Sequence, residues 1–512
     1  MTKRRNFLRG LLLGGASLMS ARPRAAPDFP DYPFTLGVAS GYPSPDGIAL
    51  WTRLAPDPLA PGGGLDPRTY RVRWEIAADE GFGRIVDEGL AFATPEWAHA
   101  VHVETARLAP ARAYWYRFHA GDATSPVGRF RTAPALDAEH GRLRFAFASC
   151  QQYEQGYYAA YRHMLEDDLD LVVHLGDYIY ESSWGERLVR RHEGPEPVTL
   201  EQYRARHACY RLDPDLQAAH AACAWLFTWD DHEVENDYAG SLSENRDDPR
   251  WMLARRAAAY RAYFEHLPLR RAMTPLGPDL RLHARVPWGR LAEFSMLDTR
   301  QHRSPQPCPR AGRAGSNMIE HCPARDDPAA SVLGDTQEQW LAAGLAAGRA
   351  RCNLLGQTTR MAPADNLAGP GELLYSDSWD GYPAARRRLL DMLAATRAAN
   401  PVVIGGDVHS FWVNDLKPDF GREDAPVVAS EFVTTSVTSQ PPPEDAIQTA
   451  AKEGAHVHFA TGLHRGYVRM TLTPRQLTAD LRALDDAKRR DAACTTLSTW
   501  VVEDGKPGAR RA

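Results

Sequence analysis

Four apolar runs in this chain end in side chains of metal-binding type. Leu171-Val172-Val173-His174-Leu175 breaks at Gly176 into Asp177, with Tyr180 three residues on. Residues 143–149 end in Cys150, and Trp225-Leu226-Phe227-Thr228-Trp229 runs into Asp230-Asp231-His232, with Asn236 following. Val402-Val403-Ile404 passes through Gly405-Gly406 into Asp407 and His409. One such ending reads equally well as a core strand closed by an Asp-initiated turn. Four are hard to explain as turns, because each sets a strongly solvated group beside a buried sheet. A carboxylate and a phenol converging at Asp177 and Tyr180 suit a trivalent cation. Asp407 and His409, two apart on what reads as an extended segment, are expected to reach different ions. Two ions sharing Asp177 as a bridge is then the economical arrangement.

Such groups need strands to carry them. The unbroken run over residues 171–175 predicts a strand buried on both faces, and in open α/β sheets ligands bind beyond the C-terminal ends of such strands. Further strands are predicted at 143–150, 225–229, 291–298, 352–357 and 402–404. Helices are predicted at 156–168, with Tyr157, Tyr161 and Leu165 on one face, and at 201–222, 250–266, 337–347 and 384–397. Strands alternating with helices argue α/β layers. Upstream, residues 70–76, 101–104 and 114–118 read as half-buried strands of a β-sandwich spanning 28–133. Leu108-Ala109-Pro110 followed by Tyr114 resembles the loop and tyrosine of fibronectin type III domains. Residues 132–140 read as a linker.

A chain of 512 residues predicts two domains or more, and 44% apolar with 24% charged content places it among globular proteins. The net charge of -5, without a basic stripe, argues against nucleic acid as a partner. Lys3-Arg4-Arg5-Asn6-Phe7-Leu8-Arg9 and the apolar residues 10–19 read as an export signal too short to span a bilayer. The paired arginines resemble the twin-arginine signal, here taken over residues 1–27. It implies passage in folded form through the twin-arginine translocase to the periplasm or beyond. Seven cysteines are an odd number for an exported protein. Cys308 with Cys322 is the most plausible disulfide and Cys209 with Cys223 a weaker pair, whereas Cys352 and Cys494 read as inert.

Taken together, Ala148-Ser149-Cys150, Gly176-Asp177-Tyr178-Ile179-Tyr180-Glu181, Trp229 through Asn236 and Gly406-Asp407-Val408-His409 resemble the PhoD family of alkaline phosphatases and phosphodiesterases. These are calcineurin-like metallophosphoesterases related to purple acid phosphatases. The resemblance implies a four-layer αββα metallophosphoesterase domain over 141–512, preceded by an all-β fibronectin III/Ig-like sandwich. It implies iron(III) on Cys150, Asp177, Tyr180 and His409, and calcium on Asp177, Asp231, Asn236 and Asp407. It further implies His232 facing the scissile phosphate, Arg360 as a phosphate contact, and phosphate esters as substrates attacked by a metal-activated hydroxide. Thiolate, phenolate, carboxylate and imidazole together neutralise a trivalent ion, and oxygen-only ligands suit calcium.

Other readings meet the same residues. The zincin motif H-E-x-x-H needs histidine at position 236, where this chain has Asn236. No G-x-S-x-G elbow or Walker A loop occurs. An exported, calcium-stabilised binding protein without catalysis is the alternative, but sites for stability alone rarely recruit Cys150 and Tyr180. Among single residues, His174 and Tyr178 are expected to pack beside the site and Trp229 and Trp412 to wall it. Asp230 is expected to be a hydrogen-bonded carboxylate beside the ligands, Arg386, Arg387 and Arg388 a solvated face, and residues 377–380 the site's rim.

Overall fold

The computed structural model describes residues 29–422 and 424–512, so the expected signal lies outside the described residues. Continuous apolar runs become parallel strands that are buried on both faces. Leu143–Ala148, Leu171–Leu175 and Ala224–Thr228 pair in parallel, with Val172 opposite both Ala146 and Trp225. Antiparallel strands extend this sheet on one side: Gly466–Leu472, Gln476–Leu484, Cys494–Glu503 and finally Lys506–Arg511 at the edge. A second sheet of seven strands has Ala292–Met296, Cys352–Gly356, Pro401–Gly405 and Ala429–Val433 parallel at its centre.

The two sheets pack face to face. Phe145 meets Phe294 edge-on with centroids 5.1 Å apart, and the Thr228 hydroxyl donates to the Leu297 carbonyl at 2.6 Å. Helices Leu200–Arg211, Pro214–Ala222 and Pro249–His266 cover the first sheet through Tyr203, Leu216 and Tyr263. Asp335–Ala347 and Pro383–Thr396 cover the second through Leu341, Leu389 and Leu393. The result is the four-layer αββα arrangement. Among the described residues, no helix is long and apolar enough to cross a membrane.

Strands Ile85–Ala93, Tyr70–Ala77, Ala113–Ala120 and Gly128–Arg131 form the outer sheet of the N-terminal sandwich. It packs on Val38–Gly41, Ala49–Arg53 and Ala100–Glu104 through Leu50, Val72, Val101, Tyr116 and Phe130. The Tyr114 hydroxyl accepts from the Ala109 N–H at 2.9 Å, which fixes the corner foreseen from the sequence. The inner sandwich strands are not separate from the ten-stranded sheet. Val38–Gly41 pairs in parallel with Ala224–Thr228, placing Ser40 opposite Ala224 and Gly41 opposite Trp225.

Some local expectations fail for identifiable reasons. The helix foreseen at 156–168 forms only over Ala159–Met164: it tightens into a 3-10 turn over Leu165–Asp167 that the left-handed Asp168 closes, and the Tyr157 N–H before it donates to the Ala487 carbonyl at 2.7 Å. Its buried side carries Ala160, Tyr161 and Met164, while Leu165 lies exposed in the following 3-10 turn. The helix foreseen at 201–222 divides at Asp213, whose carboxylate caps the second half with Pro214 at its first position. Cys308 and Cys322 form a disulfide. Cys209 and Cys223 do not: Cys209 sits against Tyr153 and Cys223 beside Arg129, and both are buried free thiols.

Candidate metal centre

The ends of the parallel strands from both sheets converge on Asp177. Cys150 Sγ, an Asp177 carboxylate oxygen and a His409 ring nitrogen lie within 4.8 Å of one another. Asp177 belongs to two further groups of the same tightness, one with Asp231 and His232 and one with Asp230 and Asp407. The Tyr180 hydroxyl donates to Asp177 Oδ2 at 2.8 Å and stands 3.3 Å from His409 Nε2. Close approach of the strand ends requires glycine at two places. A Cβ on Gly176, whose φ is +101°, would fall 2.6 Å from the Asp230 Cβ, and one on Gly406 would overlap the Ser149 side chain.

The segment 407–409 is not extended, as the sequence had suggested. Asp407 and His409 both have left-handed φ, 65° and 51°, as do Cys150 at 59° and Asp177 at 54°. Non-glycine residues rarely adopt this conformation, and its cost is tolerated chiefly where function fixes the backbone. Turns of this kind send Asp407 toward Asp230 and His409 toward Cys150, where an extended segment would have kept both on one face. The His409 Nδ1–H donates to the Gln440 carbonyl at 2.7 Å, so Nε2 keeps its lone pair on the Cys150 and Tyr180 side. Burial lowers His409 to about 3, consistent with a neutral imidazole.

Several supporting groups carried no signal in the sequence reading. The Glu233 carboxylate accepts from the N–H groups of Asp177, Tyr178 and Asp230 at 3.1, 2.6 and 2.8 Å, holding two strand ends together. Arg300 is buried with its guanidinium against Asp230, 3.5 Å from Asp231 and 2.7 Å from Asp377. Asp377 also takes Arg303 at 2.6 Å, so it is a buried structural carboxylate and not part of a rim. The Asp237 N–H donates to Asp231 at 2.6 Å, and its own carboxylate accepts from the Ser316 N–H and hydroxyl at 2.8 and 2.6 Å. Arg300 follows the strand Ala292–Met296 by four residues, and that position beyond a parallel strand is the one hint the sequence offered.

Electrostatics make a cation a good fit. Burial raises Asp177 well above the usual carboxylate range, and Asp231, Asp230 and Glu233 add to this against the pull of His232. Burial pushes Asp407 up to about 6 and Asp230 up to about 8, the latter despite Arg300. Burial likewise raises the Cys150 thiol and the Tyr180 phenol. Asp177 Oδ1, Asp230 Oδ2 and Asp407 Oδ2 are buried without a hydrogen-bond partner. Unpartnered acid oxygens crowded this closely demand either protons or a positive ion. The donor set of thiol, phenol, carboxylate and imidazole on one side, and carboxylates on the other, suits two ions of different hardness.

A cavity of about 790 Å³ opens over this cluster. Asp177, Asp231, His232, Asn236, Arg360, Asp407 and His409 line it, while Cys150 and Tyr180 lie buried behind, so all nine expected site residues gather here. The His232 Nδ1 is 2.7 Å from Glu181 Oε2, and its ring lies 4.2 Å from that of Tyr180. Arg360 donates through Nε to the Ala362 carbonyl at 3.2 Å and lies 4.6 Å over Trp412, which forms a wall as expected. Trp229 does not form a wall: it stacks on Tyr260 at 3.9 Å and bonds Asp298 inside the core. Arg386 is likewise buried on Asp380 at 2.6 Å, not solvated. Tyr178 bonds His220 at 2.8 Å, and His174 packs edge-on against Tyr178, both as packing groups.

Comparison with known proteins bears on this arrangement. Residues 145–481 match the PhoD-like phosphatase family, and residues 19–134 match the PhoD-like phosphatase N-terminal domain. The chain is 44% identical to alkaline phosphatase D of Bacillus subtilis (strain 168), covering 99% of this chain and 89% of that protein. A solved structure of PhoD superposes with a TM-score of 0.90 at 44% identity, over 95% of this chain and 93% of that one. A purple acid phosphatase from yellow lupin (Lupinus luteus) seeds shares the fold at 12% identity, with a TM-score of 0.55 over 93% of this chain and 75% of that one.

Proposed function

The chain belongs to the PhoD-like phosphatase family, and from that premise we propose how this alkaline phosphatase, a hydrolase of phosphoric ester bonds, uses its centre. Iron(III) is held by Cys150, Asp177, Tyr180 and His409. Calcium is held by Asp177, Asp231, Asn236 and Asp407. The observation that carries this reading is the membership of Asp177 in three ligand groups while its Oδ1 lacks any protein partner. When bound, the ions supply positive charge and Lewis acidity to a phosphoryl group and its attacking water.

The chain's own residues supply the rest. Arg360 faces the cavity and binds phosphoryl oxygens through its fork, kept in orientation by Trp412 and the Ala362 carbonyl. His232 protonates the leaving oxygen. Its Nδ1 is committed to Glu181, so Nε2 is the nitrogen left to deliver the proton. The same proposal includes export by the twin-arginine translocase to the periplasm or beyond, resting on Arg4-Arg5 and the apolar residues after them. There the enzyme would release phosphate for uptake from monoesters, diesters or both.

The test is elemental analysis of full-length protein purified without chelator, with hydrolysis of p-nitrophenyl phosphate and bis(p-nitrophenyl) phosphate followed before and after chelation. Iron and calcium should both be present, and activity should fall on chelation and return with the ions. Full activity in metal-free protein would sink the reading.

A further inference from the structure

The fully buried Ser439 hydroxyl lies 2.9 Å from the Tyr180 oxygen and 2.8 Å from the Cys150 carbonyl oxygen. A serine hydroxyl has one proton, so it can serve only one of these acceptors at a time. While Tyr180 keeps its own proton on Asp177, its oxygen is no better an acceptor than the carbonyl. A ligated tyrosine has no such proton, and its charged oxygen becomes much the stronger acceptor. We propose that Ser439 is a positioning residue for Tyr180, its hydroxyl turning from the Cys150 carbonyl to the Tyr180 oxygen when that oxygen takes up a metal. This rests on Cys150, Asp177, Tyr180 and His409 being the iron ligands.

The segment around Ser439 is built to hold that geometry. The Thr438 and Ser439 N–H groups both face the Cys150 carbonyl, at 3.4 and 3.3 Å, and the Gln152 N–H donates to the Ser439 hydroxyl at 3.3 Å. The next carbonyl, that of Gln440, takes the His409 Nδ1–H. Arg465 pins the segment from behind, donating to the Ser439 carbonyl at 2.5 Å and to the Ser436 hydroxyl at 2.8 Å. Residues 436–440 therefore touch Cys150, Tyr180 and His409, three of the four proposed iron ligands. Among the described residues, none of their hydrogen bonds reaches Asp231, Asn236 or Asp407. Support of this kind predicts an effect on iron without one on calcium.

The experiment compares wild type and Ser439→Ala, both full-length and iron-loaded, against a competing iron chelator. Removal of a partner of a ligand typically weakens metal binding about 10- to 100-fold, so the variant should release iron at chelator concentrations lower by that factor. Calcium binding should be unchanged, and the visible phenolate-to-iron band should move to longer wavelength as the phenolate loses its donor. If the variant holds iron as tightly as wild type with an unmoved band, the proposal is overturned. If wild type itself carries no iron and no visible band, the metal assignment fails and this proposal falls with it. Should Ser439→Ala not fold, Arg465→Gln keeps the hydroxyl but frees its segment. A smaller shift in the same direction is then expected, and no shift there also overturns the proposal.

Discussion

The buried Glu181 pairs with His232 at the cavity wall, its Oε2 2.7 Å from the His232 Nδ1. The second oxygen of the same carboxylate accepts from the Asn236 N–H at 3.0 Å, so one side chain orients both the proposed proton donor and the backbone of a proposed ligand. Burial pushes Glu181 up and His232 down. Their mutual attraction, with Asp231 and Asp177 acting on His232 and the Asn236 N–H on Glu181, outweighs burial, leaving Glu181 below its ordinary value and His232 well above.

A charged His232 held by Glu181 is poised to give its proton to a leaving oxygen. His232→Ala should keep both metals and lose about 10²- to 10⁴-fold in turnover on an alkyl phosphate. The loss should be smaller on p-nitrophenyl phosphate, whose leaving group needs little protonation. Equal losses on both substrates would mean that His232 binds phosphate or metal instead.

Cys150→Ala should remove the thiolate from the iron side while leaving the sheets intact. The purified variant is expected to lose iron and visible colour but keep the far-ultraviolet circular dichroism of wild type. Retention of stoichiometric iron would exclude Cys150 as a ligand.

Arg300 contacts Asp230, Asp231 and Asp377 at once from a fully buried position. Breaking a buried ion pair from one side typically costs about 3–5 kcal/mol because the partner charge is left uncompensated. Arg300→Met should therefore lower stability to denaturant by about that amount, with metals bound or absent. A change near zero would show that the ions, and not Arg300, balance this cluster.

Metal removal should make stability depend on pH. Asp407 and Asp230, raised chiefly by burial to about 6 and about 8, bind protons more tightly folded than unfolded. Their contribution is full below the unfolded carboxylate value of roughly 3.9 and is lost as pH rises through 6 to 8. Chelated protein should show a melting temperature that falls from pH 5 to pH 8.5, and metal-loaded protein should not show this fall. A chelated protein that grows more stable with rising pH would contradict the placement of these charges.

The strand ends were legible because the apolar runs before Gly176 and Gly406 stop abruptly at groups that water would otherwise hold. The nine site residues could be listed from that punctuation and from the resemblance it supports. How they meet could not. Left-handed φ at Cys150, Asp177, Asp407 and His409 is only weakly announced, since Asp and His tolerate it more often than most residues but usually do not adopt it, which is why 407–409 read as extended. Asp377 looked like a rim residue because its partners, Arg300 and Arg303, lie more than seventy residues earlier in the chain. Ser439 and Glu233 act through hydrogen bonds to backbone groups and a phenol, which no periodicity announces.

The parallel pairing of Val38–Gly41 with Ala224–Thr228 ties the order of events in folding to the order of synthesis. The inner sheet of the sandwich is made first, but the strand that its edge joins lies almost two hundred residues downstream. Until that strand arrives, the nascent edge exposes unpaired backbone groups, a ready template for another chain. Under the proposed twin-arginine route, folding before export would then be more than a matter of acquiring metal. An N-terminal half held unfolded for threading would present that open edge throughout, whereas the finished molecule leaves it paired, so heat should unfold sandwich and catalytic layers in one cooperative transition.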